Sequence, residues 1–362
     1  NHGAGIYSYN SYATFSNCII RENQASSGGA GMNNTSGGSH LNRVVFTANV
    51  INGTFSQNPN GGGAGMRNDG GSANVTDSYF IANENSTNQG GGAIRNENSS
   101  TALFRNVVIK NNYSENGDGG GGMYNSNGSE PTLINVSFIS NSTTNQGGAM
   151  YNDDSKPKLY NCLFFENVGD GGAGAIESDG GSDMELTYCR FIGNTTNGDG
   201  GAIQNWQSSP TIDSCYFEGN QADGDGGAVF NYNNCSPWIA NSTFVGNDAA
   251  SNGGAIYNRR NCNPILTNLL IYDNDAGNYG GGIYTIMSNS EPCNPVATNI
   301  TITENHAGIS GGGAFDDGAG SSKLRNSILF NNDAPSNEDV DAPAASAITA
   351  LRYVIIGNDF YS

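Results

Sequence analysis

The feature that most constrains this chain is a pair of anchors that return along nearly its whole length. The first anchor is a glycine pair, then Ala or Gly, then an apolar residue that falls at Ile6, Met32, Met66, Ile94, Met123, Met150, Ile176, Ile203, Val229, Ile256, Ile283 and Phe315. The second is an apolar residue with asparagine three places on, running from Ile20/Asn23 and Phe46/Asn49 to Ile302/Asn305 and Leu329/Asn332, with a worn further copy at Ile355 to Asn358. Most spacings are 26–29 residues, and they lengthen to 31–34 where loops swell. The candidate loops are 50–60, 113–118 and 284–294, and insertions there would carry specificity without disturbing a stack.

A unit this short cannot bury an apolar face alone, so each copy must stack on the next. Between anchors the apolar residues alternate, as at Cys215 and Phe217, or stand singly among Gly, Asn and Pro. That pattern predicts two or three short strands per coil and no useful helix. In-register stacking at about 4.8 Å per coil makes the chain an all-β solenoid, a single-stranded parallel β-helix of about thirteen coils. Residues 1–332 form its repeats, and 333–362 a degenerate terminal coil or cap continuous with the helix.

Equivalent residues then form columns. Five places before the second anchor stands another apolar column, from Phe15 and Leu41 through Ile212 and Ile239 to Leu324. Each coil thus sends several side chains inward, at roughly 1.5–3 kcal/mol for each large one fully buried. The second anchor's asparagines, among them Asn194, Asn220, Asn247 and Asn274, form a structural ladder. Each amide can bond turn backbone, tolerate a left-handed conformation and pair with its copies above and below. A partial second ladder (Asn17, Asn106, Asn135, Asn161, Asn241, Asn268, Asn299, Asn326) lies three places before the anchor. The glycine pair takes the other sharp corner.

Composition narrows the partners. With 14 Lys and Arg against a net charge of −19, the chain has no basic stripe for nucleic acid or anionic membrane. No apolar run reaches the ~18 residues of a membrane span, so no membrane insertion of this segment is expected. The chain opens at Asn1 inside a repeat, which suits a processed piece of a longer exported protein.

The alternation of "GGAIQN…CYFEGN" and "GGAVFN…STFVGN" resembles the repeats of chlamydial polymorphic membrane proteins and of other bacterial right-handed parallel β-helix surface proteins. The stretch from Leu324 to Asp359 is similar to the terminal coil of exported Bacteroidetes β-helix proteins of the choice-of-anchor type. The resemblance implies a right-handed, non-catalytic, adhesin-like module for display and binding, secreted or attached to the outer membrane. Its partners would be a host or neighbouring-cell surface protein or glycan, and the export machinery would carry it as a secreted cargo.

The alternative is a polysaccharide-processing or carbohydrate-binding β-helix. No catalytic residue is assigned: the Gly-His-Gly and Arg-x-Lys signatures of β-helix hydrolases are absent, and His2, His40 and His306 lie in separate coils. Asp153–Asp154 and Asp316–Asp317 read as solvated pairs. Asp118, Asp170, Asp199 and Asp225 each precede a glycine pair. The last three stand on consecutive coils, where a Ca²⁺ ion would relieve the repulsion of stacked carboxylates; solvated turn aspartates are the competing reading. Of seven cysteines, Cys18, Cys162, Cys189 and Cys215 sit at an inward column. Cys235, Cys262 and Cys293 share Cys-Ser/Asn-Pro on an outer corner, where Cys235–Cys262 or Cys262–Cys293 lies within disulfide range.

The candidate ligand-binding residues are Trp206, Tyr232 and Arg259, in one outward column three places past the first anchor, with Trp238 on a neighbouring outward face. An aromatic pair beside Arg suits a sugar ring or a partner protein. Mutual stacking, with Arg259 covering Tyr232, is the purely structural reading.

Overall fold

The computed structural model describes residues 4–53, 61–115, 117–317, 322–343, 348–352, 354–357 and 359–361. His2, Asn358 and most of the expected loop at 50–60 lie outside them. The chain divides into two compact units, residues 1–185 and 186–362. Each consists of β-strands and turns.

In the first unit every coil carries four strands rather than two or three, and each strand joins one of four parallel sheets. The coil from 94 to 114 shows the pattern in Ile94–Glu97, Leu103–Arg105, Val108–Lys110 and Tyr113–Ser114. Left-handed residues end the strands: Asn106 (φ 54°) separates the second from the third, and Asn111 (φ 54°) the third from the fourth. A strand interrupted every third residue stays flat only by pairing with its copies. Accordingly Val75, Phe104, Leu133 and Leu159 stand in register. The first sheet has seven such strands, from Ile6–Tyr9 to Ile176–Asp179. The third sheet stacks its phenylalanines flat, with Phe46 and Phe80 at 4.6 Å and Phe138 and Phe164 at 4.8 Å.

The second unit repeats this plan. Its first sheet runs from Ile203–Trp206 to Ala314–Asp317, followed by the short strand Val340–Asp341. Phe191, Phe217 and Phe244 stack at 4.8 and 4.5 Å. Val354–Ile356 continues the third sheet in parallel and is closed by the antiparallel strand Asp359–Tyr361.

The asparagine ladder is present, and it is buried from Asn49 onward, with Asn23 half-buried at its start. In the first unit the side-chain amides of Asn23, Asn49, Asn83, Asn112 and Asn141 each donate to the next coil's Oδ1 at 2.8–3.0 Å. In the second unit Asn194 through Asn305 do the same at 2.8–2.9 Å, and Asn332 ends on the Asp339 carboxylate at 2.8 Å. These asparagines do not use the left-handed conformation they could tolerate. The residue before each one takes it, as at Ala82 (φ 52°), Gly219 (φ 61°) and Glu304 (φ 57°). The outer ladder does use left-handed asparagines, and its amides donate the opposite way, as from Asn135 to Asn106 and from Asn268 to Asn241.

The glycine pair has two distinct causes. Gly226 lies at φ +71°, while a Cβ on Gly227 would stand 2.2 Å from the Gly254 carbonyl of the next coil. Two registers differ from expectation. Ala314, not Phe315, pairs with Ile283, so Phe315 falls opposite Tyr284. Ile356, not Ile355, pairs with Leu329.

Candidate functional site

In the four-residue strands of the first sheet, the anchor and the residue two places on face the core, and the other two face outward. The outward neighbour of the anchor is nevertheless covered. In the second unit this row is Phe230, Tyr257, Tyr284 and Phe315, stacked at 5.0, 5.1 and 5.3 Å and at most 8% exposed. The glycine corner lies over it: a Cβ on Gly253 would meet the Tyr257 Cβ at 3.0 Å.

Beside this buried row runs the predicted outward column. Trp206, Tyr232, Arg259 and Ile286 stand in register on successive strands. The Trp206 ring meets Tyr232 edge to face at 4.7 Å, and the Arg259 guanidinium lies 5.6 Å from the Tyr232 centroid. Arg260, absent from the sequence-derived set, adds a second cation at 5.9 Å, donates to the Tyr232 hydroxyl at 3.4 Å and pairs with Glu291 at 2.8 Å. Tyr232 is therefore held between an indole and two guanidiniums, while Trp206 remains 38% exposed. Trp238 is also outward, at 40% exposed, but on the second sheet between Thr211 and Ile265. The structure thus joins Trp206, Tyr232 and Arg259 and sets Trp238 apart.

The turn aspartates are bonded into the stack. Asp199 accepts from the Asp225 backbone N–H at 2.8 Å, and Asp225 accepts from the Asn252 backbone N–H and side-chain amide at 3.1 and 2.7 Å. Burial, the largest cause, pushes both carboxyls above the ordinary carboxylate range. Asp170 is exposed at the same corner of the first unit. Among the described residues no three His, Cys, Asp or Glu side chains gather as a metal site.

In the first unit the covered outward row is polar. Arg67 and Arg95 both pair with Glu97, the latter at 2.8 Å, and all three are under 5% exposed. Arg95 also lies 5.2 Å from the Tyr124 centroid. Next along the sheet, Ser126, Asp153 and Asp179 share one column. The Asp153 carboxyl is pushed up first by burial and then by Asp179, and burial raises Asp118 against the opposing pull of Arg95. Asp316, expected to be solvated, is 2% exposed, because the one-residue slip at Ala314 turns it inward beside Thr285.

Sequence reasoning missed a second buried ladder, two places past the first anchor. Asn34, Asn68, Asn96, Asn125 and Asn152 form it in the first unit, and Asn205, Asn231 and Asn258 in the second. The recurring asparagine in Gly-Gly-Ala-Ile-x-Asn was its signal. Cys235, Cys262 and Cys293 are fully buried rather than on an outer surface. Cys162, Cys189 and Cys215 are buried as expected, and Cys18 is partly so.

Comparison with known proteins agrees with this architecture. Residues 62–244, just over half of the 362-residue chain, match the family described as right handed beta helix region. Residues 241–259 match the Chlamydia polymorphic membrane protein repeat, which suggests a bacterial surface protein. No curated protein matches. Among solved structures, the Azotobacter vinelandii mannuronan C-5 epimerase AlgE6 A-module is similar over 98% of this chain and 91% of its own, at 12% identity and a TM-score of 0.44. The extent of the first match settles the assignment: the chain belongs to the right-handed β-helix family.

Proposed function

We propose that this chain is an exported bacterial surface module of adhesin type, which displays a binding strip on the first sheet of its second unit. The observation that carries the reading is the register column Trp206, Tyr232 and Arg259, set beside a buried aromatic row. Exposed aromatic area held rigid by its neighbours loses little entropy on binding a sugar face or a protein partner. The test is binding of the purified protein to a glycan array and to cultured cells. Trp206→Ala with Tyr232→Ala should reduce binding at least tenfold while leaving the unfolding midpoint nearly unchanged. Unchanged binding with a stability loss above about 2 kcal/mol, beyond the usual range for surface substitutions, would make the column structural.

A second reading rests on the first unit. Carboxyls with raised pKa beside a buried arginine and tyrosine are the kind of group that acts in proton transfer; Arg95, Tyr124 and Asp153 lie on the first sheet, and Asp118 is at the glycine corner beside them. On this reading the chain processes a polysaccharide. Reducing-sugar release from acidic and neutral polysaccharides, abolished by Asp153→Asn, would support it; no release from any of them would reject it.

A further inference from the structure

We propose that Cys235, Cys262 and Cys293 form a disulfide-exchange column, in which a single intrachain disulfide always contains Cys262 and can sit on either side of it. Each cysteine stands three residues before one of Trp238, Ile265 and Val296, which pair in register, so the three thiols stack on successive coils. All are 0% exposed and pack as a cluster of their own. Backbone contacts confirm the row. The Cys235 N–H donates to the Cys262 sulfur at 3.4 Å, and the Cys262 N–H to the Cys293 sulfur at 3.2 Å.

Thiols are not needed to build this corner. The same place is taken by the buried serines Ser129, Ser155 and Ser182 in the first unit and by Ser208 in the second, and the Ser155 N–H donates to the Ser182 hydroxyl at 3.0 Å. What a thiol adds is redox chemistry. Stacked α-carbons about 4.8 Å apart lie inside the span of a disulfide. Three in a row permit one bridge and leave one thiol, and the outer pair, two coils apart, lies beyond reach.

The oxidant is a disulfide of the glutathione class. A cysteine thiolate attacks it, forms a mixed disulfide and releases one glutathione thiol. The neighbouring thiolate then displaces the second, so two protein thiols lose two electrons and the oxidant carries away both protons. Exchange follows without net oxidation: the remaining thiolate attacks the Cys262 sulfur, a new S–S bond forms, and the former partner leaves as a thiolate that takes up the proton. Burial and the two flanking sulfurs push the Cys262 thiol up, whereas hydrogen bonding from Cys262 holds Cys235 and Cys293 down. The outer sulfurs are thus the attacking ones and the central sulfur the one attacked. Because the native column is buried, oxidation takes place as the coils close.

The test is refolding of the urea-unfolded chain in a mixture of reduced and oxidised glutathione, then N-ethylmaleimide in denaturant and non-reducing peptide mapping by mass spectrometry. Two bridged species are expected, Cys235–Cys262 and Cys262–Cys293. Cys235→Ser should carry only Cys262–Cys293, and Cys293→Ser only Cys235–Cys262. Cys262→Ser should carry neither while keeping the circular dichroism of the parent, since serine fills this corner in other coils. A Cys235–Cys293 bridge, three alkylated thiols, or one bridge that is lost rather than moved when its outer cysteine is replaced would each overturn the proposal.

Discussion

Replacing Asn220 by alanine tests the ladder where its bonding is complete. The Asn220 amide donates to the Phe191 carbonyl at 3.0 Å and to Asn247 Oδ1 at 2.8 Å, and its own oxygen accepts from the Asn194 backbone N–H and side-chain amide at 3.1 and 2.8 Å. The residue is 0% exposed. After truncation Asn247 Oδ1 keeps the Asn220 backbone N–H at 3.1 Å, but the Asn194 N–H, one Asn194 amide hydrogen and the Phe191 carbonyl lose these partners. At about 1–3 kcal/mol for each stranded buried group, and with water partly refilling the space of a carboxamide, the loss is about 3–5 kcal/mol. The assay is urea unfolding followed by tryptophan fluorescence, which is local because Trp206 and Trp238 flank Asn220 in sequence and are the only tryptophans. For a slope of roughly 3 kcal/mol per molar, the midpoint should fall by about 1–1.7 M. Asn289→Ala is a poor control: Asn289 sits at φ 57°, where alanine is itself strained. Asn88 is exposed and lies outside the left-handed set, so Asn88→Ala should be nearly silent. Equal midpoints for Asn220→Ala and Asn88→Ala would refute the ladder as a source of stability.

Other substitutions probe other columns. Glu97→Ala leaves Arg67 and Arg95 without their shared buried carboxylate, and should cost about 3–5 kcal/mol, read by circular dichroism on urea unfolding; a cost below about 1 kcal/mol would be that of a surface pair. Asp225 has its folded pKa raised, so it binds more protons folded than unfolded, and its contribution is lost as pH rises above the unfolded value near 4. Asp225→Asn, which keeps an oxygen for Asn252, should therefore raise the midpoint at pH 7 more than at pH 4; an equal effect at both would contradict the burial argument. Cys189 and Cys215 are at most 3% exposed and should resist thiol reagents until denaturant is added. Prompt labelling of either in the native protein would contradict their inward placement.

Much of this architecture was legible because stacking in register turns sequence periodicity directly into columns. Leu41, Val75 and Phe104 recur at one offset, and they are neighbours in space for that reason alone. The same logic brought Trp206, Tyr232 and Arg259 onto one strip and Asn194 to Asn274 into one ladder. Tertiary structure decided what alternation leaves open, namely which outward positions are then covered. Tyr257 and Glu97 face away from the core by strand parity, yet the first is sealed by the glycine corner and the second by paired arginines. Apolar identity also misled at the twelfth anchor, where the backbone register follows the glycines. That register places small Ala314 in the anchor column and sends Phe315 to the aromatic row, where its ring gains Tyr284 and Tyr279 as neighbours. Likewise the Cys-Ser/Asn-Pro corners read as outer turns, but their side chains turn inward to meet the neighbouring coil's N–H, a bond that exists only once the coils have stacked.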